Sequence, residues 1–266
     1  MSGQVRLSRH GDQRHVAELV LDRPQSLNAL STDFARQLRD TLRDITAEAD
    51  SGAVRAVVVT SSQAKAFCVG ADLKERDTFT DADLRAQRTV YRAMRDAWRE
   101  LPVPAIAAVA GFAMGGGFEL ALLCDLIVVD TTAVLALPEV SVGVVPGLGG
   151  TQLLSRRVGL SRAGDLIFTA RRIDAAEARA MGAVDRLVEA GQAREVALEL
   201  AATIAANSPV GVRNAKRALR MGLDVDLSAG FEIEDGAWRA TAFSGDRAEG
   251  VRAFVEKRSP NWPGVD

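Results

Sequence analysis

"GFAMGGGFELALLCD", residues 111–125, is the stretch on which the reading of this chain turns. It sets Gly115, Gly116 and Gly117 in a row and follows them with one acid, Glu119, ahead of Leu120, Ala121, Leu122 and Leu123. Residues 105–109, just upstream, form an apolar run with strand character, and the apolar run downstream has the length of a short helix. The glycines therefore occupy a strand-to-helix turn. Glycine there permits positive φ and lets backbone approach closely. The first helical turn carries N–H groups without intrahelical partners and the positive end of the helix dipole. An oxyanion site and tight helix–strand packing both follow from such a turn, and the glycines alone do not separate them. Two familiar glycine motifs fail. The stretch is not G-x-G-x-x-G, and in the later "PGLGGTQ" Gln152 stands where a third glycine belongs. No Gly-Lys-Ser/Thr occurs beside either stretch, which argues against NAD and ATP.

Glu119 is either a first-turn acid complementing the dipole or a buried carboxylate, which is costly unless bonded or functional. Glu139 stands in a similar place, after Pro138 and the apolar "AVLALP" and before "VSVGVVPGLGG". It too has a plain reading, as a helix-start acid. Two acids that each close an apolar strand region beside glycines form a candidate general acid–base pair.

The rest of the chain limits the possibilities. With 266 residues, one large domain or a domain with an appendage is expected. A net charge of −2 gives no general attraction for nucleic acid or anionic membrane. Lysine occurs only at 65, 74, 216 and 257, arginine carrying the other positive charges, a composition typical of GC-rich bacterial genomes. Cys68 and Cys124 form no C-x-x-C and read as buried thiols in a reducing compartment. Residues 1–15 lack the apolar core of a signal peptide, and no apolar run reaches about 18 residues, so a cytoplasmic location is expected. His10 and His15 lie far from the motifs, so no metal is expected, and neither is a G-x-S-x-G nucleophile.

Residues 16–21, "AVRAVVVTSS" (53–62), 105–109, 126–129 and 134–137 read as strands. Ser31 caps a helix with the apolar face Phe34, Leu38, Leu42 and Ile45. Leu84, Tyr91, Met94, Trp98 and Leu101 mark a second helix, ending before Pro102. Asp174 and Glu177 start a helix that stops at Gly182, and Ser208-Pro209 starts another. "KAFCVGADLKER" (65–76) reads as a loop. Beyond about residue 190 only helix signals remain.

In these motifs the sequence resembles the enoyl-CoA hydratase/isomerase (crotonase) superfamily. "AFCVGADLKER", "AIAAVAGFAMGGGFELALLCDLIV" and "LPEVSVGVVPGLGGTQLLSRRVG" carry the resemblance in order and spacing, with "LDRPQSLNAL" and "FVEKRSPNW" near the two ends. "FCVGADLKER" is similar to the subgroup containing methylglutaconyl-CoA hydratases. The resemblance implies an α/β fold, a crotonase-like spiral of ββα units over residues 1–195, with a helical trimerisation region over 196–266 and assembly as a homotrimer or hexamer. It implies hydration of trans-2-enoyl-CoA by Glu119 and Glu139, with an oxyanion hole from the N–H groups of Val69 and Gly116. Substrate would be lined by Gly70, Ala71, Asp72, Leu73, Gly115 and Gly117. Coenzyme A, entering only as part of the substrate, would be met by Arg23, Lys74 and Lys257, the last in a neighbouring subunit. No other cofactor is implied. Isomerisation uses the same oxyanion hole; the presence of both glutamates favours hydration. A non-catalytic acyl-CoA- or RNA-binding relative is the reading from another class. For it, the arginine-bearing "RAQRTVYRAMRDAWRE" reads better as an amphipathic helix with solvated charges.

Overall fold

A computed structural model describes residues 3–264. In chain order the elements are β1 (Gln4–His10), β2 (Val16–Asp22), α1 (Thr32–Asp50), β3 (Ala56–Ser61), β4 (Ala66–Cys68), α2 (Leu73–Arg76), α3 (Asp81–Glu100), β5 (Ala105–Val109), β6 (Phe112–Met114) and α4 (Gly116–Leu123). They continue with β7 (Leu126–Asp130), β8 (Val134–Ala136), α5 (Gly150–Val158), α6 (Leu160–Thr169), β9 (Ile173–Asp174), α7 (Ala175–Met181), β10 (Arg186–Val188), α8 (Ala193–Ala205), α9 (Pro209–Gly222), α10 (Leu227–Ala242) and α11 (Gly245–Glu256). Short 3₁₀ turns cover Pro24–Ser26 and Glu139–Val142.

Two sheets organise the chain. One has the order β1-β2-β3-β5-β7-β10 and the other β4-β6-β8-β9. Three times in succession a strand of the large sheet is followed by a strand of the small one and then by helix: β3–β4, β5–β6, β7–β8. This repetition winds the chain as a spiral. Pairing along it is parallel, and among the described residues only β1 with β2 and β8 with β9 run antiparallel.

The continuous apolar runs of the large sheet follow from burial on both faces. Val57 and Val59 face the main core, where the α1 stripe Phe34, Leu38, Leu42 and Ile45 packs with Met94 and Trp98 of α3. Ala56 and Val58 face the other way, against Ala193, Ala197, Ala201 and Ala205 of α8. Alanine at every fourth position gives α8 a flat face that lies close on the sheet. Ser31, Asp174 and Ser208 cap α1, α7 and α9, each accepting a backbone N–H, as their positions predict.

The sequence reading needs several corrections here. Residues 65–76 are not a loop throughout: they contain β4 and α2. β1, β6, β9 and β10 were not anticipated, and Leu84 is half exposed although its spacing placed it on the buried face of α3. The division after residue 195 falls inside α8, whose alanine face belongs to the large-sheet core. The helices that stand off from the sheets begin at α9. There α10 packs on α9 and α11 and has no buried residue, while Leu219, Leu223, Leu227, Phe231, Trp238 and Phe243 are exposed. Both cysteines are buried. No described helix is long and apolar enough to cross a membrane.

Candidate active site

β4 and β6 run side by side, and both break into helix at the same end, β4 through residues 69–72 into α2 and β6 through Gly115 into α4. Glycine is required at this junction by contact. A Cβ on Gly117 would lie 2.0 Å from the Cys68 carbonyl oxygen, so α4 starts directly against the end of β4. Gly70, at φ +87°, would put a Cβ 2.8 Å from the Met114 carbonyl oxygen and 3.1 Å from the Gly116 nitrogen.

The backbone donors at this junction differ from expectation at one position. The Val69 N–H donates to the Leu27 carbonyl at 3.2 Å, so it is already engaged and is corrected as an oxyanion donor. Two residues on, Leu30 N–H donates to the Gly70 carbonyl (2.7 Å) and Asp72 N–H donates to the Leu30 carbonyl (3.0 Å), which pairs Leu30 with Ala71 in parallel. In such a bridge the residue between the two bonds points its own N–H to the opposite side. Ala71 N–H and Gly116 N–H have no acceptor among the described residues. These two stand where the chain brings residues 70 and 116 into contact. The Tyr91 hydroxyl fixes the arrangement from beneath by donating to the same Leu30 carbonyl at 2.5 Å.

The two acids converge on this junction. Glu119 is 2% exposed, and its Oε1 accepts the N–H groups of Leu148 and Gly150, each at 2.7 Å. Those donors come from the glycine-rich loop entering α5. Burial pushes the Glu119 carboxyl above its usual range, against the backbone N–H groups of residues 147–150, which draw it down. Glu139 opens the 3₁₀ turn after Pro138. Its Oε1 lies 2.8 Å from where a Cβ on Gly115 would sit, and its Oε2 is buried without a partner. Gly115 (φ +52°) thus leaves the room that this carboxyl occupies. Burial first, and then the charge of Glu119, push Glu139 up to about 7. One carboxyl is held by two fixed donors, and the other keeps its proton near neutrality.

The remaining predicted residues separate into two groups. Asp72 caps α2, accepting the N–H groups of Lys74 (3.1 Å) and Glu75 (3.3 Å), and pairs with Arg23 at 2.7 Å. Arg23 also donates to the Ala29 carbonyl at 2.8 Å, so its guanidinium braces the loop that carries Gly70 and Ala71. Leu73 and Lys74 are exposed at the start of α2. Lys257 is not brought near the glutamates within this chain: it caps α11, which packs on α9 and α10. Sequence reasoning placed Ala71 among the residues lining substrate and not as a donor, and it missed the roles of Tyr91 and of the Leu148 and Gly150 donors. The signal for the last two was present in "PGLGG", a glycine turn at a helix N-terminus tested only as a dinucleotide motif.

The chain is similar to known proteins over most of its length. A family profile described as enoyl-CoA hydratase/isomerase matches residues 11–265. The Bacillus subtilis protein YngF is 44% identical over 256 residues, covering 94% of this chain and 95% of that one. The mouse mitochondrial methylglutaconyl-CoA hydratase is 38% identical, covering 95% and 81%. Among solved structures, an enoyl-CoA hydratase from Bacillus anthracis superposes with a TM-score of 0.92 at 40% identity, covering 97% and 99%.

Proposed function

The chain belongs to the enoyl-CoA hydratase/isomerase family, and on that premise we propose that it adds water syn across the double bond of a trans-2-enoyl-CoA, giving a 3-hydroxyacyl-CoA. The observation that carries the reading is the pairing of two unlike carboxyls with two unengaged N–H groups: Glu119 and Glu139 beside Ala71 and Gly116. The thioester oxygen accepts from Ala71 and Gly116. Glu119, with Oε1 tied to the backbone, uses Oε2 to orient water and takes its proton as the oxygen bonds to C3. The C2–C3 π electrons move toward the carbonyl, and the resulting enolate is held by two fixed donors, each worth about 10²–10³ in rate in comparable sites. The enolate then collapses, and C2 takes the proton of Glu139. The pair ends with its proton transferred from Glu139 to Glu119 and resets by exchange.

The chemistry asks for no cofactor beyond the coenzyme A of the substrate. Lys74, and Lys257 from a neighbouring subunit, would meet its phosphates. The apolar residues exposed on α9 and α10 support assembly as a homotrimer or a dimer of trimers.

The test is loss of the conjugated enoyl-thioester absorbance with crotonyl-CoA. Native protein should hydrate it, while Glu119→Gln and Glu139→Gln should each fall by ~10³-fold, within the ~10²–10⁴ that a general acid or base contributes. Hydration surviving both substitutions within tenfold would remove the two-acid reading. Conversion of a 3-enoyl-CoA to its 2-enoyl isomer without hydration would replace it by isomerisation.

A further inference from the structure

α3 turns one face into the core, and its buried residues are Gln87, Tyr91, Met94, Ala97 and Trp98. Gln87 is 1% exposed, an amide where an apolar side chain would pack without the cost of burying polar atoms. Both of its N–H groups and its carbonyl are engaged. Nε2 donates to the Thr32 hydroxyl at 2.8 Å and to Glu75 Oε2 at 3.0 Å, and Oε1 accepts from Arg76 Nε at 2.8 Å. Glu75 is itself bound to the start of α1, accepting the Thr32 N–H at 2.8 Å through Oε2 and at 3.1 Å through Oε1. The Arg76 guanidinium lies 5.5 Å over the Tyr91 ring.

These partners stand on the two sides of one bridge. Thr32 opens α1 two residues after Leu30, and Glu75 and Arg76 belong to α2, four and five residues after Ala71. Leu30 and Ala71 are the pair whose bonding leaves the Ala71 N–H without an acceptor among the described residues. Two hydrogen bonds do not by themselves fix the angle between two chains, and α2, with four residues, is too short to hold a helical position alone. Gln87 adds a third point of attachment from a long helix. Its bonds to a carboxylate and from a guanidinium are charge-assisted, the stronger kind, and a fully satisfied buried network specifies one arrangement. The Tyr91 hydroxyl, one turn on, reaches only the Leu30 side.

We propose that Gln87 is a positioning residue of the oxyanion site: its buried amide ties α1 to α2 across the Leu30–Ala71 bridge and thereby sets the direction of the Ala71 N–H. The proposal rests on the hydratase reading for the use made of that N–H. Gln87→Met and the milder Thr32→Val, which removes one partner of the amide, are compared with native protein and with Arg194→Met, which loosens the Glu18 cluster away from the site. One readout is kcat and KM for crotonyl-CoA. The other is the infrared stretching frequency of the thioester carbonyl in bound butyryl-CoA, isotope-labelled at that carbon. This saturated thioester cannot be hydrated, and its carbonyl frequency falls as hydrogen-bond donors polarise it, so it reports the donors without the reaction.

In native protein the bound carbonyl is expected to absorb at lower frequency than in solution. Gln87→Met should lose at least half of that shift and lower kcat at least tenfold with KM within threefold, because fixed donors act most where charge develops. Thr32→Val should fall between it and native protein, and Arg194→Met should keep the native shift. The proposal is overturned if native protein shows no shift, or if Gln87→Met keeps the whole of it. Should Gln87→Met not fold, an unchanged shift in Thr32→Val overturns it equally. An equal loss in Arg194→Met, or a rise in KM with kcat unchanged, does the same, since Gln87 would then serve stability or the pocket wall alone. The hydratase reading fails separately. If crotonyl-CoA is not hydrated while the carbonyl shift is present and depends on Gln87, the positioning stands and the reaction does not. If native protein hydrates crotonyl-CoA and the shift is indifferent to Gln87, the reaction stands and the positioning does not.

Discussion

A methyl group on Gly117 would test the central contact of the site. The new carbon would sit 2.0 Å from the Cys68 carbonyl oxygen and 2.5 Å from its carbon. That is more than ~1 Å inside ordinary van der Waals separation. The obstacle is backbone of β4, which is held in the small sheet by β6 and cannot rotate aside as a side chain would. The start of α4 must therefore move by about 1 Å relative to β4 and take the Gly116 N–H away from the Ala71 N–H. Misplacement of that size costs about 10²-fold in rate, and loss of one oxyanion donor costs about 10²–10³. Overpacking of this kind also destabilises by about 1–3 kcal/mol. Gly117→Ala should thus fold, melt several degrees lower by circular dichroism, and hydrate crotonyl-CoA at least ~10²-fold more slowly. Gly236→Ala is the matched comparison, because a methyl there meets nothing within 4 Å and helix α10 gains a better helix former. It should not lower the melting temperature. If Gly117→Ala kept native turnover within threefold and its melting temperature within a degree, the close approach of α4 to β4 would not be what sets the donors.

Four further outcomes are expected. Glu139 must donate in its neutral form and is held at about 7, so kcat/KM for crotonyl-CoA should fall as pH rises through about 7, with a tenfold loss per unit beyond; a profile flat to pH 9 would exclude Glu139 as the donor. The same raised value means that native stability is fully present below about 4.5 and declines as pH rises to 7, so Glu139→Gln should melt higher than native protein at pH 8 and not at pH 4. Glu18 is opposed by burial but held down to about 2 by hydrogen bonds from Arg194, Thr60 and His10, so its contribution is present above about 4.5 and is lost as pH falls toward 2. Arg194→Met should therefore lower the melting temperature at pH 7 and by progressively less in acid, whereas a pH-independent loss would point to packing alone. Tyr91→Phe removes one of two donors to the Leu30 carbonyl and should cost about 1 kcal/mol by denaturant titration, with a drop in turnover of no more than about tenfold, since Asp72 still pairs there.

Much of this molecule could be read along the chain. The stripe Phe34, Leu38, Leu42 and Ile45 is buried as its spacing requires, and Ser31, Asp174 and Ser208 cap the helices they precede. The β-branched run at 57–59 is a strand buried on both faces. The glycine turn at 115–117 and the acids at 119 and 139 stand together, as the motifs suggested. Local signals failed where an element owes its existence to a neighbour. β4, β6 and β9 are two or three residues long and are strands only because the small sheet pairs them. β1 is polar because it is an edge strand with a largely solvated surface, which removes the apolar signal.

The site divides in the same way. Which residues bring chemistry was determined by the sequence: glycines where backbones must touch, and carboxyls set among apolar residues. Which backbone N–H groups remain unengaged was decided only by the tertiary structure. Val69 and Ala71 are two residues apart and equally plain as side chains. Pairing with Leu27 and Leu30, some forty residues earlier, spends the N–H of Val69 and leaves that of Ala71 without an acceptor. Side-chain pattern records burial, which is a local property of composition. A hydrogen bond to a distant strand depends on register, and register is fixed only when the whole core packs.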